Sequence, residues 1–430
     1  MSALAVCLKE RGHLVCGFDR TESEKTAFLQ SCGIPVNDAS MLSLCDFAIA
    51  SSAISLSDPN VLRLKELKKP VCSRAELLSA ICSEYPCVTG VSGTHGKTTC
   101  TALCAHMFRA ANKKFTLHVG GEDVSFGNYR SFGNEYFITE LCEYKNNLRF
   151  FSPTVGIVLN VDDDHLESYS DFAALQKSFC DFALRSEKAI VGENNRELRK
   201  TLDDSGKKYL TFSLNDQNAD YCLKNARYEN GAFCALVTEG GNAIFEARSE
   251  FLNMHDKGNL LSAVAAARIF GISPENIATG VKSFCGVKRR NEFLGYYRGC
   301  AVIADYAHHP AQLQAVICEY ENKFSGGVTL LFQPHTYSRT RRLFDRFADV
   351  LKNAERLFVF DVYAARESYD ELGSSKRLCE KLKNSEYVGG VSNMRAVMER
   401  ACLNGKPIIV LGAGDIYDEV KKTMKEPPVK

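Results

Sequence analysis

The stretch from Gly90 to Thr99, GVSGTHGKTT, carries the residues whose types and spacing most clearly indicate chemistry. Apolar residues before it predict a strand, and residues 98–111 after it predict a helix, which is the setting of a phosphate-binding loop. In such a loop, backbone N–H groups at a helix N-terminus face phosphate oxygens. Lys97 would bind the β- and γ-phosphates, and Thr98 would offer a hydroxyl to Mg²⁺. The stretch therefore predicts nucleotide binding, although Val91 replaces the usual first glycine.

Acidic and imidazole side chains follow two further predicted strands. Glu140 and then Glu143 follow the strand at 136–139, and His165 follows the strand at 155–160 through an acidic run. Strand ends in open α/β sheets face the ligand crevice, so Glu140 and His165 are candidate Mg²⁺ ligands beside the phosphate loop. Imidazole is the less usual Mg²⁺ ligand. Helix capping and turn formation are the alternative roles for both side chains.

Four predicted strands near the C-terminus, at 300–304, 328–332, 357–360 and 407–411, each end in a polar loop. These loops contain His, Arg, Asp and Gly, and such strand ends predict a substrate-binding edge. Arginine and histidine there would hold a carboxylate and stabilise developing charge. Together, the phosphate loop and this substrate-binding edge predict an ATP-driven reaction on a second substrate. A kinase and an ATP-dependent ligase fit comparably, and a nucleotide-gated binding module is the third alternative.

The N-terminal 86 residues predict an incomplete nucleotide-binding unit. A helix at 2–11 and a strand at 13–18 lead to Asp19, where a Rossmann-like unit contacts a ribose. A turn is the equally favoured role of Asp19. Ser52 lies in a polar loop after the strand at 47–50. Such a unit needs a strand and a glycine-rich loop before its first helix, so we expect the coding sequence to begin upstream of Met1.

Length, composition and charge exclude several classes of protein. A length of 430 residues predicts two to four domains of an ordinary soluble type. The net charge of +1 gives no electrostatic basis for a nucleic-acid or anionic-membrane partner. There is no run of membrane-spanning length and no secretory signal. The 18 cysteines are scattered without a Cys-x-x-Cys pair, so we expect reduced thiols and a cytoplasmic location.

Nine segments make the chain resemble the Mur ligase family, specifically its alanine-adding branch, over nearly the whole length. They are SGTHGKTT (92–99), GG (120–121), ELCEY (140–144), LNVDDDHLESY (159–169), GVKRRNEFLG (286–295), ADYAHHP (304–310), FQPHTYSRTR (332–341), DVYAARE (361–367) and LGAGDI (411–416). The resemblance implies an α/β protein of three domains. These are an incomplete Rossmann-like UDP-substrate domain (1–86), a P-loop ATPase domain (87–288) and a Rossmann-like amino-acid-binding domain (289–430).

The resemblance also implies a reaction in peptidoglycan precursor synthesis. In it, ATP activates the lactyl carboxylate of UDP-N-acetylmuramate as an acyl phosphate, which the amine of L-alanine attacks. ATP and Mg²⁺ are the implied cofactors, and the implied enzyme is a cytoplasmic monomer or homodimer without nucleic acid or membrane insertion. One alternative is a related ligase that joins a recycled peptide to the same nucleotide sugar. The other is a truncated nucleotide-binding protein without turnover.

Specific positions take their expected roles from this resemblance. The implied catalytic residues are Lys97, His308, His335 and Arg339. The implied nucleotide-binding residues are Gly93, Thr94, His95, Gly96, Lys97, Thr98, Thr99, Asn259 and Arg290. The implied metal ligands are Thr98, Glu140 and His165, and the implied substrate-binding residues are Asp19, Ser52, Glu143, Tyr306 and Asp415. One departure from the family pattern is Gln312, where the family usually has glutamate after the His-His-Pro motif.

Overall fold

The computed structural model describes residues 1–52, 54–55, 57–163 and 168–426. The chain forms two compact units, the first of residues 1–252 and 256–285 and the second of residues 253–255 and 286 onwards. Both units are α/β, as the sequence predicts. Among the helices of the described ranges, none has the length and apolar character needed to cross a membrane.

The first unit contains α1 to α10 and β1 to β12. The helices are α1 (Ser2–Glu10), α2 (Glu24–Ser31), α3 (Met41–Leu44), α4 (Pro59–Glu66), α5 (Arg74–Ser83), α6 (Lys97–Ala110), α7 (Phe172–Arg185), α8 (Arg196–Asp204), α9 (Lys257–Ile269) and α10 (Pro274–Ser283). The strands are β1 (Ala48–Ala50), β2 (Val71–Ser73), β3 (Cys87–Ser92), β4 (Phe115–Asp123), β5 (Gly127–Ser131), β6 (Tyr136–Glu140), β7 (Val155–Val158), β8 (Lys188–Gly192), β9 (Tyr209–Ser213), β10 (Tyr221–Glu229), β11 (Ala232–Glu239) and β12 (Asn242–Ser249).

A mixed sheet in the order β12-β11-β10-β9-β8-β7-β3-β6-β4-β5 forms the centre of the first unit. The strands from β10 to β4 are parallel to their neighbours, and antiparallel strands extend both ends. Strands β3 and β7 are almost wholly buried, as is typical of parallel sheets covered by helices on both faces. Because β3 lies between β6 and β7, the ends of these three strands bring the phosphate loop, Glu140 and the segment after β7 together.

The N-terminal region packs within the first unit. The hydroxyl of Tyr129 on β5 donates to Glu10 at 2.9 Å, which joins α1 to the large sheet. Strands β1 and β2 form a separate parallel pair. The prediction of a strand at 13–18 is wrong, because among the described residues this segment pairs only through an isolated bridge between Gly17 and Val36. Its apolar residues match a strand, but the described part of the chain offers them no neighbouring ladder, and Leu14 is 98% exposed.

The second unit contains α11 to α16 and β13 to β18. The helices are α11 (Pro310–Lys323), α12 (Tyr337–Arg342), α13 (Phe344–Leu351), α14 (Ser375–Glu380), α15 (Met394–Ala401) and α16 (Ile416–Lys425). The strands are β13 (Glu292–Tyr297), β14 (Cys300–Asp305), β15 (Thr329–Phe332), β16 (Arg356–Phe360), β17 (Ser385–Gly389) and β18 (Ile408–Leu411).

These six strands form a sheet in the order β13-β14-β18-β15-β16-β17, in which only β13 is antiparallel to its neighbour. The four predicted strands of this region are present with shifts of about one residue at their ends, within the usual uncertainty of helix and strand boundaries. They correspond to β14, β15, β16 and β18, which are adjacent in the sheet. Their polar loops therefore leave the sheet at one edge.

Candidate functional site

The phosphate loop connects β3, which ends at Ser92, to α6, which begins at Lys97. Gly93 and Gly96 have φ angles of +131° and +87°, which side chains disfavour. A Cβ atom on Gly96 would lie 2.1 Å from Oδ1 of Asn259, a buried side chain on α9. The predicted nucleotide-binding residue Asn259 thus lies against the loop, and its amide donates to Asp256 at 2.9 Å.

The ammonium group of Lys97 points back into its own loop. It donates to the carbonyl oxygens of Gly93 and Thr94 at 2.5 and 3.1 Å, and it lies 3.0 Å from Oε2 of Glu143. Burial is the largest influence on Lys97 and opposes its charge, but the neighbouring Glu143, Cys142 and Glu140 together outweigh burial and raise the pKa of Lys97 above its ordinary value. Lys97 is therefore a fixed cation at the N-terminus of α6. The sequence indicated Glu143 as a substrate-binding residue and did not indicate this ion pair.

Thr98 and Glu140, two of the three predicted metal ligands, are in direct contact. The Thr98 hydroxyl donates to Oε2 of Glu140 at 2.8 Å. A Cβ atom on Gly120 would lie 1.9 Å from Oε1 of Glu140, so this glycine leaves the space that the carboxylate occupies. Hydroxyl and carboxylate oxygens are hard ligands suited to Mg²⁺, and the pair fits that ion. The third predicted ligand, His165, lies outside the described residues.

The segment after β7 holds the middle of the phosphate loop. The side chain of Asn160 accepts from the backbone N–H of His95 at 2.8 Å and donates to its carbonyl at 3.0 Å. The Thr94 hydroxyl accepts from the backbone N–H of Asp162 at 2.9 Å. These bonds hold the backbone of His95 and the side chain of Thr94. Sequence reasoning missed Asn160, because only the pairing of β7 with β3 brings it to the phosphate loop.

In the second unit, four aromatic side chains from three strand ends form a row of rings. The ring centroids are 5.2 Å apart between Tyr306 and His308, 5.7 Å between His308 and His335, and 5.5 Å between His335 and Tyr363. Tyr306, His308 and His335 were predicted as site residues, whereas Tyr363 was not. The structure therefore brings the predicted histidines together.

Hydrogen bonds determine which nitrogen of each histidine carries a proton. Arg339 lies with Nη1 3.1 Å from Nδ1 of His335, and because a guanidinium only donates, this Nδ1 accepts. The proton of neutral His335 is then on Nε2. Nδ1 of His308 lies 2.8 Å from the carbonyl of Tyr306, which only accepts, so this Nδ1 donates. Arg339 itself is only 8% exposed, which makes it a largely desolvated donor beside the row of rings.

Two more predicted residues support this row. The guanidinium carbon of Arg290 lies 4.8 Å from the ring centroid of Tyr306, a cation–π contact. Asp415 accepts from Nε2 of Gln333 at 2.7 Å, and Oε1 of Gln333 accepts from the backbone N–H of Ile416 at 3.1 Å. The bond to Gln333 ties the end of β15 to the beginning of α16. Arg290, predicted to bind nucleotide, thus lies in the second unit.

Asp19 and Ser52, the remaining predicted substrate-binding residues, lie in loops of the N-terminal region. The carboxylate of Asp19 accepts from the backbone N–H of Thr21 at 3.1 Å, and its own N–H donates to Asn37. This is the geometry of the turn alternative. The carbonyl oxygen of Ser52 accepts from Nζ of Lys145 at 3.0 Å, which connects that loop to the segment after β6.

Profiles of three Mur ligase domains match the chain. The profile described as the Mur ligase family catalytic domain matches residues 1–86, the Mur ligase middle domain matches 91–267, and the Mur ligase glutamate ligase domain matches 289–414. A UDP-N-acetylmuramate–L-alanine ligase from Clostridium beijerinckii is 33% identical over 437 residues, covering 99% of this chain and 95% of that relative.

Solved structures show the same architecture. The UDP-N-acetylmuramate-alanine ligase MurC from Thermotoga maritima matches with a TM-score of 0.83 and 25% identity, over 98% of this chain and 95% of that one. A murein peptide ligase from Psychrobacter arcticus matches with a TM-score of 0.77 and 18% identity, over 100% and 97%. At 18% identity, the similarity to this second structure shows the fold alone.

Proposed function

Because this chain belongs to the Mur ligase family, as its motifs predicted, we propose that it ligates L-alanine to the lactyl carboxylate of UDP-N-acetylmuramate with the energy of ATP. The observation that carries the proposal is the nearly full-length similarity to L-alanine ligases, together with the Gly-Lys-Thr of the phosphate loop. The reaction belongs to peptidoglycan precursor synthesis.

On the nucleotide side, the phosphate loop binds ATP. Lys97 and the N-terminal N–H groups of α6 hold the β- and γ-phosphates in line with the carboxylate that attacks. Thr98 and Glu140 would hold Mg²⁺, which neutralises phosphate charge. The γ-phosphoryl group moves to the lactyl carboxylate, which gives ADP and an acyl phosphate. The amine of L-alanine then displaces inorganic phosphate through a tetrahedral intermediate and forms the amide.

On the acceptor side, Arg339 and His335 bind the carboxylate of L-alanine. Arg339 is a largely buried cation with a planar fork of donors that suits a carboxylate, and the Nε2–H of His335 is a further donor. His308 and Tyr306 complete the row of rings around the reacting acyl phosphate. The N–H donors of this row stabilise the negative charge that develops at the reacting centre.

We also propose domain boundaries after residues 86 and 288, which the ranges matched by the three profiles support. The proposed location is the cytoplasm, where ATP and nucleotide sugars are available. A monomer or homodimer is the proposed assembly, since no step above needs residues from a second chain.

A two-substrate assay of phosphate release tests the proposed function. We expect release from ATP only when both UDP-N-acetylmuramate and L-alanine are present. Release that depends on neither substrate would contradict the proposal. Faster turnover when a peptide replaces L-alanine would instead identify a peptide ligase. ADP binding without ligation at high substrate concentrations would identify a nucleotide-binding protein without turnover.

A further inference from the structure

Lys97 already has an anionic partner inside the protein. An ammonium group has three N–H donors. Four oxygens surround the Lys97 ammonium group. Two are carbonyl oxygens of the loop, and two are the carboxylate oxygens of Glu143, at 3.0 and 3.2 Å. The donors of Lys97 are thus engaged within the protein. A nucleotide phosphate can accept from Lys97 only by replacing some of these oxygens.

Glu143 is held firmly for this contact. It is 1% exposed, and its backbone carbonyl accepts from the hydroxyl of Tyr169 and from the N–H of Asn146. The Tyr169 hydroxyl lies 2.5 Å from this carbonyl. Ser178 on α7 donates to the side chain of Asn146 at 2.9 Å. Contacts with two neighbouring segments therefore hold the backbone of Glu143 in place beside the phosphate loop.

We infer that Glu143 is a positioning residue that holds Lys97 in the phosphate loop as an internal substitute for a nucleotide phosphate. Binding of the nucleotide exchanges the Glu143 carboxylate for phosphate oxygens as the partner of Lys97. The inference rests on the proposed use of ATP. The exchange breaks the Lys97–Glu143 contact, which costs free energy. The protein therefore binds nucleotide more weakly than it would if Lys97 had no carboxylate partner.

Calorimetric titration of the full chain with ADP and with inorganic pyrophosphate tests this inference. Glu143→Gln keeps the shape of the side chain but removes its charge. We expect both ligands to bind roughly 3- to 10-fold more tightly to this variant, since the competing anion is gone. Unchanged or weaker binding of both ligands would overturn the inference. Pyrophosphate isolates the phosphate loop from any contact with adenine.

Glu193→Gln is the matched control for charge. Glu193 follows β8 at the same edge of the sheet and lies 3.6 Å from Arg199, not beside Lys97. We expect ADP affinity to stay within about twofold of the parent chain, as for a screened charge outside direct contact. Equal tightening in both variants would mean that general charge, and not the contact with Lys97, sets the affinity, which would overturn the inference.

Glu143→Asp keeps the charge and covers the case in which Glu143→Gln does not fold. Its shorter side chain withdraws the carboxylate from Lys97, so we expect affinity between those of the parent chain and Glu143→Gln. In turnover assays, Glu143→Gln should lower the KM for ATP without raising kcat. If Glu143 had a merely structural role, the same substitution would lower thermal stability and leave the KM for ATP unchanged. Loss of ligation with ADP binding intact would contradict only the proposed function.

Discussion

The strand-end residues around the phosphate loop and those around the row of rings differ in their physical character. In the first unit, a cation, a carboxylate and a series of backbone hydrogen bonds surround the phosphate loop, centred on Lys97 and Glu143. In the second unit, a row of four rings lies beside one largely buried guanidinium, that of Arg339, which contacts His335. The first set presents a cation paired with a carboxylate, whereas the second presents a guanidinium beside rings that carry N–H and O–H donors.

This difference matches the two chemical tasks. A polyphosphate carries several negative charges of fixed shape, and a loop of N–H groups with a lysine suits it. A small zwitterion and a developing tetrahedral centre need directional donors without a large net field. Changes in the first unit should therefore act on nucleotide binding and on stability, and changes in the second should act on the amino-acid acceptor.

The largest expected effect comes from Lys97→Met. Turnover should fall below detection, because the ammonium proposed to bind the β- and γ-phosphates is lost. The change also leaves the buried Glu143 carboxylate without its partner, which should lower the free energy of unfolding by about 3 kcal/mol. Phosphate release and denaturant unfolding measure the two effects.

The double variant Lys97→Met/Glu143→Gln separates catalysis from stability. It should recover most of the lost unfolding free energy, because no charge is left buried and unpaired, and it should stay inactive. Equal stability of the single and double variants would show that the ion pair contributes nothing to the fold, and the contrast between the two units would lose its electrostatic basis.

Arg339→Lys should have the next largest effect and act on the acceptor side alone. Lysine keeps the charge but lacks the planar fork and the bond to Nδ1 of His335. We expect kcat/KM for L-alanine to fall by about 10²-fold, with ADP affinity unchanged. Arg341→Lys is the control, since that side chain is 58% exposed and pairs with Asp370. Weakened ADP binding in Arg339→Lys would contradict a separation of tasks.

Thr98→Val tests the proposed metal pair in the first unit. Valine has nearly the same shape but no hydroxyl to share with Glu140, so we expect turnover to fall about 10-fold and the Mg²⁺ concentration for half-maximal rate to rise. Thr98→Ser retains the hydroxyl and should behave like the parent chain. Identical Mg²⁺ dependence in the valine and serine variants would exclude a metal role for this hydroxyl.

The phosphate loop could be predicted from the sequence because its parts are contiguous. The glycines, Lys97 and Thr98 lie within one turn and the start of one helix, so their spacing determines their geometry. The partner of Lys97 could not be predicted, because Glu143 is 46 residues away and only the pairing of β3 with β6 brings it close. Asn160 was missed for the same reason, through the pairing of β3 with β7.

The pairing of strands that are distant in the sequence also limited the other predictions. The segment at 13–18 has the composition of a strand, but a strand needs a ladder partner, and composition does not supply one. In the second unit, four buried apolar runs correctly predicted a common edge. The sequence could not predict that β18 lies between β14 and β15, which sets the distance between the loops of His308 and His335.

The smallest expected effect is that of Gln312→Glu, which restores the residue usual in the family. Oε1 of Gln312 accepts from the backbone N–H groups of His308 and His309 at 3.1 and 3.2 Å, in the first turn of α11. A carboxylate oxygen can accept the same bonds, so turnover should change by less than about threefold. Its charge near the helix N-terminus should add about 0.5 kcal/mol to the free energy of unfolding.

Gln312→Ala is the variant with which Gln312→Glu is compared. It removes both bonds, so it should cost about 1 kcal/mol of stability and loosen the loop that carries His308. Denaturant unfolding and the KM for L-alanine measure the two consequences. If Gln312→Glu lost as much turnover as Gln312→Ala, a negative charge beside the row of rings would itself be harmful. The charge at position 312, and not only the two hydrogen bonds, would then determine the rate of turnover.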